Sequence, residues 1–202
     1  GIRLDTSFYF WPPGWVGNAP GNFNGSAMPM RFASLGGNLI DVYQVVTQMT
    51  DESGQTYPFT IDTLLDRALG TEGYYGAYTV NAHTDIATIP EATLVIASAK
   101  ARSVPVVSSR QMLNWLDGRN SSSFGSFAWN GTTLTFAISA GANTNGIQAM
   151  LPFRSGSQVL TAVSRAGAPV SFSVQAIKGI EYAFFSGIGG NYSASYGTDN
   201  TA

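Results

Sequence analysis

The chain has no cysteine, a single histidine and only two lysines among its 202 residues. Without thiols it can form neither a disulfide nor a thiolate nucleophile, and one imidazole cannot assemble a His-rich metal site. Charge is also scarce: 11% of residues are ionic and the net charge is −2. No basic field is present to attract a phosphate backbone, so nucleic acid is excluded as a partner class. No apolar run approaches the ~18 residues that a membrane-spanning helix needs, and no membrane partner is expected. A P-loop, a G-x-G-x-x-G after a strand and a G-x-S-x-G elbow are all missing, which leaves nucleotide-binding and serine-hydrolase readings without support.

The chain is instead 44% hydrophobic, enough for a real core, and has Gly, Ser, Thr, Asn and aromatic residues where charges would usually stand. Such a surface suits a secreted bacterial protein working on neutral polymers, with an extracellular or cell-wall-associated location. Four N-x-S/T triplets, at Asn24, Asn120, Asn130 and Asn191, carry little weight in so polar a sequence. Gly1-Ile2-Arg3-Leu4-Asp5 enters strand-like sequence at once, which predicts a chain cut from a longer protein.

Two halves follow different patterns, and together they predict an α/β plus all-β protein: a partial (β/α) barrel segment over residues 1–118, then an antiparallel β-sandwich over residues 119–202. In the first half, Ile2 to Trp11 reads as a strand, and Met28–Ala33 and Leu39–Gln48 read as a hairpin around Ser34-Leu35-Gly36-Gly37-Asn38. Thr60 and Asp62 are placed to cap a helix that Gly70 stops near Leu69. A strand then runs from Gly76 to Ala82, Pro90 opens a second helix, Val104–Val107 reads as a short buried strand, and Ser108 or Ser109 caps a third helix ending at Gly118. Beyond Gly118 the helical period vanishes. Phe124–Trp129, the turn Asn130-Gly131 and Thr132–Ile138 make a strong hairpin, with further strands near 146–151, 158–165, 169–175, 180–185 and 192–196. Trp129, Phe136, Tyr182, Phe184 and Phe185 alternate as core residues should.

Chemistry concentrates at His83, which follows an apolar strand and precedes Asp85 by two residues. The end of a strand in an α/β layer is where acid–base groups collect. Asp5, flanked by Leu4, Phe8 and Phe10, is the second candidate, because a carboxylate in apolar surroundings needs a partner. Asp51-Glu52 and Asp62/Asp66 read as loop and helix-surface charges. Tyr9, Trp11 and Trp15, with Tyr75 beside the His83 strand, form an aromatic group suited to stacking on sugar faces.

The run from Gly76 to Gly118 resembles the last two strand–helix units of the polysaccharide deacetylase superfamily. A late strand ends in Val80-Asn81-Ala82-His83, then come a helix over Leu94–Ser103, Val104-Pro105-Val106-Val107-Ser108-Ser109 and a final helix over Gln111–Leu116. The resemblance implies a carbohydrate esterase in which His83 is the general acid for the leaving alcohol, with Asp85 or Asp5 tuning its pKa. It implies a polysaccharide or oligosaccharide substrate. The family's His-x₃-His motif is absent here, so a divalent metal such as zinc, and the catalytic base, would have to come from an N-terminal remainder of the same protein. Other readings stay open: a glycosidase pairing Asp5 with Asp41 or Asp85 across a groove, and a non-catalytic carbohydrate-binding or wall-associated module in which His83 is structural.

Overall fold

The computed structural model describes residues 1–8, 28–52, 54–73, 76–83, 85 and 88–199. Among them 14 strands accompany three helices, so the protein is mostly β. It divides into two compact units, Gly1–Ser109 and Arg110–Ala202.

In the first unit, β1 (Leu4–Asp5), β2 (Met30–Ala33) and β3 (Leu39–Gln44) form a three-stranded sheet in the order β1-β3-β2. The expected hairpin joins β2 to β3: Gly37 turns the chain at φ +82°, and the Ser34 N–H donates to the Asn38 carbonyl at 2.8 Å. Its second arm is two strands rather than one, since β4 (Thr47–Thr50) leaves β3 to pair elsewhere. From β4 the chain passes through α1 (Phe59–Leu69) to β5 (Thr79–Asn81), which lies parallel to β4 with Thr50 opposite Asn81. A parallel pair needs a crossover, and α1 supplies it. The helix has the expected length, but its N-cap is Pro58. Thr60 instead lies buried in the first turn, and the Asp62 carboxylate accepts from Arg102 at 2.8 Å. Helix α2 (Pro90–Ala101) opens on Pro90, whose missing N–H costs nothing in a first turn. Met49 from β4, Ile61, Leu64 and Leu65 from α1, and Val95 and Ala99 from α2 make one core.

A (β/α) barrel is not shown. β2 runs antiparallel to β3, and Val104–Val107 joins no sheet among the described residues, with Val106 and Val107 54% and 46% exposed. Apolar, β-branched sequence makes a strand only where a neighbour takes up its backbone donors and acceptors, and among the described residues no strand lies beside this segment.

The second unit begins with α3 (Ser109–Ser121), which does not stop at Gly118. Gly118 is buried at a close approach: a Cβ there would overlap the Ala142 carbonyl oxygen and lie 2.8 Å from Thr144 Cγ2. The Ser121 and Ser122 hydroxyls both donate to the Gly118 carbonyl at 2.9 Å, and Ser122 Oγ accepts from the Gly141 N–H. These contacts tie α3 to the all-β unit, so the change of unit comes after Ser109 rather than at the polar break after Gly118.

Then follow β6 (Ser123–Trp129), β7 (Thr133–Ser139), β8 (Gln148–Pro152), β9 (Arg154–Ser155), β10 (Gln158–Arg165), β11 (Ala168–Val170), β12 (Phe172–Ile177), β13 (Ile180–Ser186) and β14 (Gly190–Thr198). They form two antiparallel sheets, β11-β10-β14-β7-β6 with β9 beside β10, and β12-β13-β8. Phe136, Leu160, Tyr192 and Ala194 from the first sheet and Leu151 and Phe185 from the second share one core. The Asn130-Gly131 turn is as expected: Asn130 Oδ1 accepts from the Thr133 N–H at 2.8 Å and Gly131 adopts φ +100°. Phe136, Phe184 and Phe185 are core residues, but Trp129 is 48% exposed. It ends the edge strand β6 and meets Tyr196 edge-on, with 5.6 Å between ring centroids.

Candidate functional site

The parallel pairing of β4 and β5 brings their C-terminal ends together, so the residues just beyond them become neighbours. Asp51 follows β4 directly and His83 lies two residues past β5. The His83 N–H donates to Asp51 Oδ2 at 3.0 Å, and His83 Nδ1 lies 2.9 Å from Asp51 Oδ1. One carboxylate thus holds both the backbone and the ring of one histidine, fixing the position of the imidazole and its rotation.

Asp51 is itself held by its loop. Thr50 Oγ1 donates to Asp51 Oδ1 at 3.2 Å and accepts from the Glu52 N–H at 3.1 Å. Gln55 reaches back, with Nε2 donating to the Gln48 carbonyl and Oε1 accepting from the Thr50 N–H, while the Tyr57 hydroxyl donates to the Thr50 carbonyl. The loop after β4 is therefore strapped to the strand it leaves.

Solvent reaches the two partners unequally: the Asp51 side chain is 12% exposed and that of His83 43%. The backbone N–H and then the ring of His83 hold the Asp51 carboxyl below its ordinary range. In return the hydrogen bond and charge of Asp51, followed by the charge of Glu52, raise the His83 pKa, and Asp85 contributes the smallest electrostatic part. With Nδ1 engaged by Asp51, the second ring nitrogen, Nε2, lies 3.8 Å from Glu52 Oε2. The arrangement favours the protonated ring, and a histidine so placed can pass a proton to a group bound beside it.

The sequence reading set Asp85 or Asp5 beside His83, whereas the structure sets Asp51 against its backbone and ring. Asp51, read as a loop charge, is the partner, and Asp85 is an exposed neighbour. β4, Thr47-Gln48-Met49-Thr50, is not an apolar run, so no local signal sets Asp51 apart from other loop carboxylates. Asp5 makes its bonds elsewhere, accepting from the Ser7 hydroxyl at 2.6 Å and the Ser7 N–H at 3.0 Å, which lower its pKa. Asp41 is held by Arg3 at 3.0 Å and Arg31 at 3.4 Å, and the Arg3 hydrogen bond lowers its pKa first. Asp62 and Asp66, also read as surface charges, both bind Arg102, at 2.8 and 2.6 Å. Tyr9, Trp11, Trp15 and Tyr75 lie outside the described residues.

Among the described residues no group of three or more His, Cys, Asp or Glu side chains could hold a metal ion. The donors around His83, one imidazole and two carboxylates of which Asp51 is already taken up, do not fit a zinc site by themselves. Among the same residues no helix is long and apolar enough to cross a membrane. No family model, no curated protein and no solved structure matches the chain.

Proposed function

We propose that the chain is the C-terminal portion of a secreted, carbohydrate-active hydrolase resembling the polysaccharide deacetylases, with His83 as the general acid. The observation that carries this reading is the double hold of Asp51 on His83, which orients the ring and raises its pKa while the side chain stays 43% exposed. In deacylation, water adds to the acyl carbon and the bond from that carbon to the sugar oxygen or nitrogen breaks. The departing atom must then gain a proton, and His83 Nε2 is the donor. Asp51 stabilises the imidazolium before transfer and fixes the tautomer after it. In this reading the groups that activate the water come from an N-terminal remainder of a (β/α) barrel. The β4–α1–β5 unit is one strand–helix–strand repeat of that barrel, and the second unit is its β-sandwich accessory domain.

A glycosidase built on Asp5 and Asp41 has less support. Its general acid needs a raised pKa, and hydrogen bonds hold both of these carboxylates low.

Release of acetate from an acetylated chitin oligomer, with and without added zinc, tests the proposal. Activity should fall as pH rises through the His83 pKa, and His83→Ala should lose about 10²-fold or more in kcat with its fold retained. Asp51→Asn should move the alkaline limb of the profile to lower pH. Activity that survives His83→Ala, or an alkaline limb indifferent to Asp51→Asn, would remove the acid role.

A further inference from the structure

The two sheets of the second unit differ in width. Strand β6 ends the wider sheet and β8 ends the three-stranded one, and between these two edges lies a cleft of about 340 Å³. Ile138 and Ala149, both core residues, line it together with Arg119 and Asn120 from the last turn of α3, Phe124 from β6 and Gln148 from β8.

Three features of this cleft point to a ligand. The first is aromatic. β6 gains one residue over β7 between Gly125 and Ala128, where Ser126 takes φ +53°. In a regular strand Phe124 and Phe127 would face opposite sides, and the bulge brings them to the same side. Their rings are 6.4 Å apart and tilted by 25°, with 44% and 62% of the residues exposed. The second is a cation. Arg3, Arg31, Arg67, Arg102 and Arg154 each pair with a carboxylate. Arg110, Arg119 and Arg165 have no carboxylate partner among the described residues, and of these three it is Arg119 that lines the cleft, touching the Asn120 side-chain oxygen at 3.5 Å. The third is the amide groups: Asn120 and Gln148 both line the cleft, and side-chain amides carry donors and acceptors suited to hydroxyls.

We propose that this cleft is a binding subsite for an acidic saccharide, a pyranose unit bearing a carboxylate. The apolar face of the sugar ring stacks on Phe124, which lines the cleft and has the Phe127 ring beside it. Arg119 takes the carboxylate through its planar fork, and the Asn120 and Gln148 amides take ring hydroxyls. An apolar lining with a few polar groups is the usual make-up of a small-ligand site. A phosphate polymer would need more than one cation, and an added peptide strand would need a regular edge, which the bulge at Ser126 denies. The site assigns binding, not hydrolysis, and it stands independently of the acid role of His83.

The test titrates the full chain with an oligogalacturonate, a neutral cello-oligosaccharide of equal length and an extended apolar peptide, following heat and the ¹⁵N-resolved amide signals. The acidic sugar should bind, moving the signals of residues 119–124 and 148, and the neutral sugar should bind more weakly. Arg119→Ala and Arg119→Lys should each weaken the acidic sugar about tenfold, and Phe124→Ala should weaken both sugars. His83→Ala should bind as the parent does, so that loss of the deacylation reading and loss of this one are told apart. The proposal is overturned if no sugar binds, if the neutral sugar binds as tightly as the acidic one, if the peptide binds in their place, or if the Arg119 variants keep full affinity in a folded protein.

Discussion

Asp51 grips His83 twice, taking the backbone N–H at 3.0 Å on one oxygen and meeting ring Nδ1 at 2.9 Å on the other, across 32 positions of sequence. Two bonds to one carboxylate leave the imidazole little freedom in χ1 or χ2. They also make the charge states of the two groups interdependent.

His83 is the only histidine, so its ring protons give one unambiguous set of signals in a proton NMR titration. The midpoint should lie above the ordinary histidine value of about 6.5, and Asp51→Asn should bring it down. The share of folding stability that the raised His83 pKa contributes is complete below about pH 6.5 and fades as pH rises through the folded value. The share from the lowered Asp51 pKa is present above about pH 4 and fades as pH falls through its folded value. A parent midpoint at or below the ordinary value would show that the pair does not form.

Arg102 closes α2 and binds both Asp62 and Asp66 of α1 while its Nη1 also reaches the Ser98 carbonyl at 3.3 Å. Its side chain is 23% exposed, so solvent screens the pair only partly. Arg102→Ala should cost about 1 kcal/mol, read as an earlier urea midpoint, and the difference should shrink in high salt.

Gly118→Ala adds a methyl group where the Ala142 carbonyl and Thr144 already stand. Helix propensity alone would favour the alanine, but the overlap wins, and a net loss of about 1–3 kcal/mol is expected. Calorimetry should place that loss in the melting of the second unit. A stabilised variant would mean that α3 does not approach the 141–145 turn so closely.

Val104–Ser108 belongs to no strand or helix, and all of it beyond the half-buried Val104 is exposed. Elastase at low ratio should cut there first, at Val106 or Val107, giving two fragments resolved by mass spectrometry. First cuts inside β6–β14 would contradict the division of the chain after Ser109.

The elements legible in the sequence are those that local chemistry specifies. Asn130-Gly131 sets the β6–β7 hairpin without help from distant residues, Pro90 sets the start of α2, and Gly37 sets the turn before β3. What escaped depends on partners far along the chain. Nothing local to Asp51 says that β5 will lie beside β4, so its bond to His83 could not be read from either segment alone. Val104–Val107 has the composition of a buried strand but, among the described residues, no strand beside it. Trp129 alternates as a core residue yet stands exposed because β6 is an edge. Gly118 read as a stop signal, whereas its lack of a side chain serves a contact with residues more than twenty positions ahead.

The meeting of Gly118 with the 141–145 turn has a bearing on inheritance. A recombination event at the polar stretch after Gly118 would separate the helix from the turn that its glycine was fitted to, leaving both products with an ill-matched surface. A crossover within Val104–Ser108 would move α3 together with everything it touches in the second unit. The seam at which this part of the gene can be exchanged between proteins therefore lies some ten codons before the place where the change in sequence character suggests it.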